Sequence, residues 1–384
     1  MDITKKRIGI VGGGQLGKMM ILEAKRLGFH VAVLDPAANC PASSISDVHI
    51  VADFDDPTGY AGLALNSDVI TYEFEHINAT ALENLENEGH IIYPSVTALK
   101  TIQNKNAQKT ALAENAIPTP KFAKVSTTIE IRELGKPENF GYPLMLKTAT
   151  GGYDGKGNAF IRDETEVESA FAQLGSGAKE LMVEEYIAFD KEISIIACRG
   201  IGGDKIVYPV AENTHKNSIL DTTIVPAAID KAISEKAADI ANQVMSVFEG
   251  VGTFCIEMFA GSDGEIYVNE VAPRPHNSGH YTIEGCFANQ FENHIRAIVG
   301  LPFGDTSLIM PTVMVNLIGE SDGEARLLGL HDAYIDSQVH VHYYGKSESK
   351  TGRKMGHYTV VSDRVEDAVK RAQNLKHVVR VVGE

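Results

Sequence analysis

Phe254-Cys-Ile-Glu-Met-Phe-Ala260, Gly261-Ser-Asp-Gly264 and Ile266-Tyr-Val-Asn-Glu-Val271 together decide how this chain reads. Two apolar runs flank a strong turn signal, which predicts an antiparallel hairpin. A two- or four-residue loop gives one register, with Glu257 opposite Val268 and Glu270 opposite Cys255. The two carboxylates are then diagonal neighbours on one face of the sheet. Like charges on such apolar strands repel unless something cationic lies between them. A hard divalent ion takes carboxylate oxygens and keeps phosphate oxygens as further ligands. Mg2+ on Glu257 and Glu270, carrying a nucleotide, is therefore expected, with Mn2+ as a substitute. A wet sheet face with two solvated acids is the plainer alternative. Asn269 points to the other face of a regular strand and would need a bulge to join the site.

Immediately downstream stands Ala272-Pro-Arg-Pro-His-Asn-Ser-Gly-His280. Its two prolines hold Arg274 and His276 extended just past the metal strand. A guanidinium there can hold a bicarbonate, carboxylate or phosphoryl anion, and an imidazole can move a proton. Upstream, a strand over residues 142–147 ends at Lys147 and leads into Thr150-Gly-Gly-Tyr-Asp-Gly-Lys-Gly157. Glycines at 151, 152, 155 and 157 weaken any strand or helix, so a flexible hairpin folding its amides over phosphates explains them better. It is no P-loop, because no Gly-Lys-Ser/Thr follows.

Near the N-terminus, Gly12-Gly-Gly-Gln-Leu-Gly17 lies between a strand and a helix, and Asp35 ends the next strand. Alone, this suggests a nicotinamide-dependent dehydrogenase, or a turn for some other phosphorylated molecule. Tyr72-Glu-Phe-Glu-His76 closes a parallel strand, at the end where open α/β sheets bind ligands, so Glu73 is a candidate contact. Lys346, Arg353 and Lys354 form a basic cluster that suits a substrate phosphate or a solvated turn.

The chain has 384 residues, enough for two or three domains, and 43% hydrophobic with 22% charged residues supports several cores. A net charge of -16 argues against a nucleic-acid surface. No apolar run approaches the ~20 residues of a membrane span, and Met1–Arg7 shows no signal-peptide core. The four cysteines match no zinc spacing and read as buried, reduced thiols of a cytoplasmic protein. A βαβ rhythm fills the first hundred residues, and two prolines near residue 118 break it. Mixed strands and helices follow, then short strands with glycine turns. The expected domains are 1–115, a Rossmann-like parallel sheet; 116–305, α+β with a glycine-rich flap at 150–157; and 306–384, small and β-rich.

This order resembles the ATP-grasp superfamily: a nucleotide-like first domain, a lysine with a glycine-rich flap, then a hairpin bearing two acids and an arginine-containing tail. Within it the chain is similar to the ATP-dependent carboxylases of aminoimidazole ribonucleotide. The similarity rests on Gly12-Gly-Gly-Gln-Leu-Gly17, Thr71-Tyr-Glu-Phe-Glu75, Gly151-Gly-Tyr-Asp-Gly-Lys-Gly157, Glu212-Asn-Thr-His-Lys-Asn217 and Asn269-Glu-Val-Ala-Pro-Arg-Pro-His-Asn-Ser-Gly-His280. The resemblance implies a three-domain ATP-grasp architecture of α/β and α+β parts. It implies ATP contacts at Lys105, Lys147, Gly151, Gly152, Tyr153, Asp154, Gly155, Lys156, Gly157, Glu184, Glu185, Tyr186, Ile187, Glu192, His215, Asn269 and Glu270. Arg274, His276, Tyr153, Asp154 and Lys156 are the implied catalytic groups. Gly14, Gln15, Leu16, Glu73, Asn277, Ser278, Lys346 and Arg353 would bind the ribonucleotide.

The implied reaction joins bicarbonate to the ribonucleotide's amine at the expense of ATP in purine synthesis, in a cytoplasmic homodimer that touches neither nucleic acid nor membrane. Many relatives carry Glu-x-Asn at the second metal strand, whereas this chain reads Glu270-Val271-Ala272. Lys105 and Lys156 stand where many carry arginine, which keeps the charge and loses the planar fork. A formate-dependent glycinamide ribonucleotide transformylase shares part of the tail and is the nearer alternative.

Overall fold

Four short apolar runs, Arg7–Val11, His30–Leu34, Val48–Ile50 and Val69–Tyr72, pair in parallel with Arg7–Val11 second from one edge. In the computed structural model, which describes residues 3–152, 156–262 and 264–384, they form the first sheet. Both of its faces are covered, which is why the strands read as unbroken apolar strings. Ile8, Ile10, Val31 and Val33 face Gln15–Arg26 and the later helix Gln290–Val299, while Val11, Ala32 and Leu34 face Pro57–Leu65, Ala79–Asn87 and Val96–Gln103. Asp56, Asn78 and Ser95 cap the last three helices through their side chains.

An antiparallel sheet of Phe122–Val125, Leu181–Glu185, Leu144–Thr148 and Asn158–Ile161, in that order, carries the flap between its last two strands. A larger sheet runs Ile266–Ala272, Gly252–Ala260, Lys191–Arg199, Ala211–Lys216, Ile219–Val225, Thr312–Ile318, Lys354–Val361, Val339–Tyr343, with Lys205–Val207 beside Lys191–Arg199. The amphipathic helix Lys231–Phe248 covers its first strands with Ala237, Ile240, Val244 and Phe248. The C-terminal strands therefore extend the central sheet: Val225 pairs with Thr312 and Ile224 with Val313. Such distant pairing leaves no periodic trace in sequence. A separate small sheet joins Glu348–Ser349, Gly323–Leu328 and Arg380–Gly383.

The hairpin forms where its composition predicts, but in another register. Ala260 pairs with Ile266 and Met258 with Val268; the pairing then slips, and Glu257 lies opposite Glu270. The extra residue is Asn269. The expected pairings Glu257–Val268 and Glu270–Cys255 are thus corrected to Glu257–Glu270 and Cys255–Ala272. The turn is one residue longer than assumed, closed by the Gly261 amide donating to the Glu265 carbonyl at 2.9 Å. The Val268 amide donates outside the hairpin, to the Pro118 carbonyl at 2.8 Å. That external bond beside Asn269 accompanies the bulge.

Candidate active site

The bulge brings the two acids from diagonal to directly opposed. Burial, and then the charge of Glu270, push the Glu257 carboxyl up to about 7. Glu270 in turn pairs with the Lys105 ammonium. Lys105 opens the helix Lys105–Glu114, capped by the Asn104 side chain, and its amide donates to the Ala149 carbonyl at 2.8 Å. Two opposed carboxylates with a lysine at their edge fit a divalent cation.

Lys147 leaves its strand beside this pair. Its ammonium contacts Glu184 Oε2 at 2.5 Å and Asn269 Oδ1 at 3.4 Å. The bulged asparagine thus joins the lysine. Glu184 also takes Lys109, at 3.0 Å. Burial would raise the Glu184 carboxyl, but the Lys109 and Lys147 ammonium groups outweigh it and hold it at about 2. Burial brings Lys109 down to about 8, and its nitrogen is tied to the Val268 carbonyl and Thr119 hydroxyl at 2.9 and 2.8 Å. Lys109 escapes sequence reading, since nothing in a helix pattern marks a buried lysine.

Past Glu184 the chain offers Glu185, bonded to the Lys121 amide at 2.9 Å, and Tyr186, whose half-exposed ring meets Phe160 edge-on at 5.1 Å. Ile187 follows at the surface of this strand end. His215 pairs with Glu192 across adjacent strands. Burial disfavours the imidazolium, and the Glu192 carboxylate more than compensates, raising its pKa. At the flap, Gly151 and Gly157 have φ of +76° and +85°, and the Thr148 amide donates to the Gly157 carbonyl at 2.8 Å. Gly152 follows Gly151, and Lys156 is exposed. Tyr153, Asp154 and Gly155 lie outside the described residues.

Beyond the hairpin, Arg274 forks onto Glu75, with Nε to Oε2 at 2.5 Å and Nη2 to Oε1 at 3.1 Å. Burial opposes the Glu75 charge, yet the Arg274 guanidinium holds that carboxyl at about 2. The His276 backbone is clamped by Gln290, which accepts from its amide at 2.8 Å and donates to its carbonyl at 2.7 Å. Burial, with the charges of Arg274 and Lys354, keeps its imidazole neutral, far below its usual pKa. His276 Nε2 faces Glu257 Oε1 at 3.8 Å, and Nδ1 meets the Ser278 hydroxyl at 2.9 Å. Asn277 exchanges amide bonds with Asn316 at 2.9 and 2.7 Å, tying the tail to the C-terminal strands. Ser278 accepts from Ser194 at 3.0 Å. Both residues are buried and engaged in internal bonds.

The N-terminal glycine turn is already supplied with acids. Gly14 and Gly17 amides donate to Glu73 at 2.6 and 2.7 Å, and the Gly13 amide donates to Asp35 at 2.8 Å. The Gly13, Gly14 and Gly17 amides that a dinucleotide pyrophosphate would use are thus taken by the chain's own carboxylates, against the dehydrogenase reading. Burial raises the Glu73 carboxyl against these amide bonds. Gln15 and Leu16 lie at the start of the helix, where amides have no partner one turn back. From the C-terminal strands, Lys346 donates to the Lys354 carbonyl at 2.7 Å, lies 5.6 Å from the Tyr344 ring centre, and its charge acts on Glu73. Arg353 donates to the Glu348 carbonyl at 2.9 Å. The Lys354 charge acts on Glu257, His215 and His276. Along the chain Lys354 groups with Lys346 and Arg353, and only the fold brings its charge to the hairpin.

Three family models match successive parts of the chain: a ribonucleotide synthetase preATP-grasp domain over residues 5–103, an ATP-grasp domain over 110–291, and a phosphoribosylaminoimidazole carboxylase C-terminal domain over 312–371. The N5-carboxyaminoimidazole ribonucleotide synthase of Bacillus subtilis is 41% identical over 367 residues, covering 96% of this chain and 94% of that one. The crystal structure of N5-carboxyaminoimidazole ribonucleotide synthetase from Thermotoga maritima is 44% identical with a TM-score of 0.89, covering 99% of this chain and 100% of that one. The Aspergillus clavatus enzyme in complex with ADP and 5-aminoimidazole ribonucleotide is 35% identical, also at 0.89, covering 98% and 99%. With the opposed acids, the flap and the clamped tail in one chain, the conclusion is direct: this protein belongs to the N5-carboxyaminoimidazole ribonucleotide synthase family of ATP-grasp ligases.

Proposed function

We propose that the chain carboxylates the exocyclic amine of 5-aminoimidazole ribonucleotide with bicarbonate and ATP, releasing ADP and phosphate. Family membership carries the overall reaction; the opposed pair Glu257–Glu270 carries its assignment to this site. ATP lies between the two antiparallel sheets, with Lys105, Lys147, Asn269 and the flap at its phosphates. Glu184, Glu185, Tyr186, Ile187, Glu192 and His215 hold the rest of the nucleotide. Glu257 and Glu270 would hold Mg2+, which would supply positive charge for the transferring phosphoryl group.

A bicarbonate oxygen attacks the γ-phosphorus, the bond to ADP breaks, and carboxyphosphate forms. Arg274, aligned by Glu75, holds this anion, and Tyr153, Asp154 and Lys156 serve its protection from water. The amine nitrogen then bonds to the carboxyl carbon as phosphate leaves. Neutral His276 takes the amine proton. Gln15 and Leu16 amides, with Lys346 and Arg353, bind the 5′-phosphate beside Gly14. Glu73 keeps lone pairs for a ribose or imidazole donor while it anchors the glycine turn. Asn277 and Ser278 support this pocket through the bonds to Asn316 and Ser194. The enzyme works as a cytoplasmic homodimer on small molecules; among the described residues no helix is long and apolar enough to cross a membrane.

Phosphate release from ATP, measured with each substrate omitted in turn, tests the reading. Release should require both bicarbonate and 5-aminoimidazole ribonucleotide for full rate. Release that instead follows formate with glycinamide ribonucleotide would overturn it.

A further inference from the structure

Cys255 plays no part in the reaction above, yet its buried sulfur lies beside Glu257 and His276. It alternates with Glu257 on Gly252–Ala260, so both side chains leave the same face. His276 reaches that face from the proline-flanked tail. Cys255 Sγ, a Glu257 oxygen and a His276 ring nitrogen all lie within 4.8 Å of one another. His276 Nε2 and Glu257 Oε1, at 3.8 Å, are close to the ~3.4 Å edge that ~2.1 Å bonds give in a tetrahedral zinc site.

Behind these atoms lies a buried polar chain. Thr223 donates to Asn213 at 2.9 Å, Asn213 to Ser194 at 2.8 Å, and Ser194 to Ser278 at 3.0 Å. The Ser278 oxygen then sits 2.9 Å from His276 Nδ1 and 3.5 Å from Cys255 Sγ. A hydroxyl accepts two bonds and donates one. Ser278 can therefore accept from Ser194 and from a protonated Nδ1 while donating to the sulfur. His276 gives up the weaker 3.3 Å bond from the Ser278 amide in that arrangement. The result frees His276 Nε2 as a ligand and gives the sulfur a hydroxyl donor, the outer-shell arrangement that metal-bound histidines use. Burial and the Glu257 charge hold the metal-free thiol up, so its proton leaves only as the cation binds.

We propose that Cys255, Glu257 and His276 form a binding site for a borderline-soft divalent cation, Zn2+, distinct from the magnesium pair and overlapping it at Glu257. Sulfur and imidazole select Zn2+ over Mg2+, which takes oxygen ligands. The overlap rests on the assignment of Mg2+ to Glu257 and Glu270; the binding itself does not. An occupied zinc site then blocks productive Mg-ATP binding, so the enzyme is inhibited by zinc.

The test uses the full ligand-free chain with Zn2+ alone, by titration calorimetry, and with Co2+ as an optical probe. One Zn2+ should bind per chain, and Co2+ should give a thiolate charge-transfer band in the near ultraviolet. Cys255→Ser should lose the band and bind Zn2+ at least 100-fold more weakly, while its Mg-ATP turnover stays within a few-fold of wild type and no longer responds to zinc. Unchanged zinc affinity in Cys255→Ser overturns the proposal. Should that variant not fold, zinc-edge anomalous diffraction from wild-type crystals decides: a peak touching the three side chains supports the site, and a peak elsewhere or none refutes it. Loss of zinc inhibition of turnover with intact zinc binding would refute the overlap at Glu257 alone.

Discussion

Glu257 and Glu270 face each other across the hairpin because the chain bulges at Asn269. The same extra residue turns Asn269 toward Lys147, so one local irregularity assembles both the acid pair and a phosphate-side contact.

Replacing one acid should separate fold from function. Glu270→Gln should reduce phosphate release by about 100-fold or more, as expected for loss of charge stabilisation in the transition state, while leaving the melting temperature close to wild type. Glu257→Gln should be equally inactive and more stable in the absence of ligand, since it removes a partly buried like charge opposite Glu270. Near-normal turnover in either variant would refute the cation site.

Glu184 sets an acid limit on stability. Its carboxyl is held at about 2 in the folded chain, against an ordinary value of 4.5. The stabilisation is therefore present above 4.5 and lost as pH falls toward 2, on the order of 3 kcal/mol for this shift. Denaturant melts of Glu184→Gln should be less stable at pH 7, where Lys109 and Lys147 lose their counter-charge, and should show a flatter decline below pH 4.5. A decline as steep as wild type would mean that other carboxylates control acid unfolding.

Lys354 links the C-terminal strands to the chemistry. Its charge bears on Glu257, His215 and His276 together. Lys354→Met should lower kcat about tenfold or more, consistent with loss of one preorganised charge, with little change in melting temperature. An unaltered kcat would place that ammonium outside the working site.

At the N-terminal turn, an added methyl has no room. A Cβ on Gly17 would meet the Gly12 carbonyl oxygen at 2.3 Å. Gly17→Ala should cost about 1–3 kcal/mol of stability, the range for overpacking, and raise KM for the ribonucleotide more than KM for ATP. Equal effects on both KM values would show that the turn does not serve the ribonucleotide.

Some of this site is legible in one dimension. Patterns confined to a few residues carry their own signal: the turn Gly261-Ser-Asp-Gly264, the glycines of the flap, the prolines around Arg274, and the apolar strings of the parallel strands. The helices Val96–Gln103 and Lys105–Glu114 are less apparent, because Asn104 ends the first and caps the second with no loop between them.

The amino-acid sequence by itself determined the kinds of element, the presence of two acids on a hairpin, and the family to which the chain compares. Only the tertiary structure decided which groups meet: Glu75 with Arg274, Lys109 with Glu184, Ser278 with Cys255, and the C-terminal strands with Ile219–Val225. Local propensity acts over a few residues along the chain. Charge pairing, bulge register and edge-strand pairing depend on neighbours brought together by packing, sometimes two hundred residues away in the sequence.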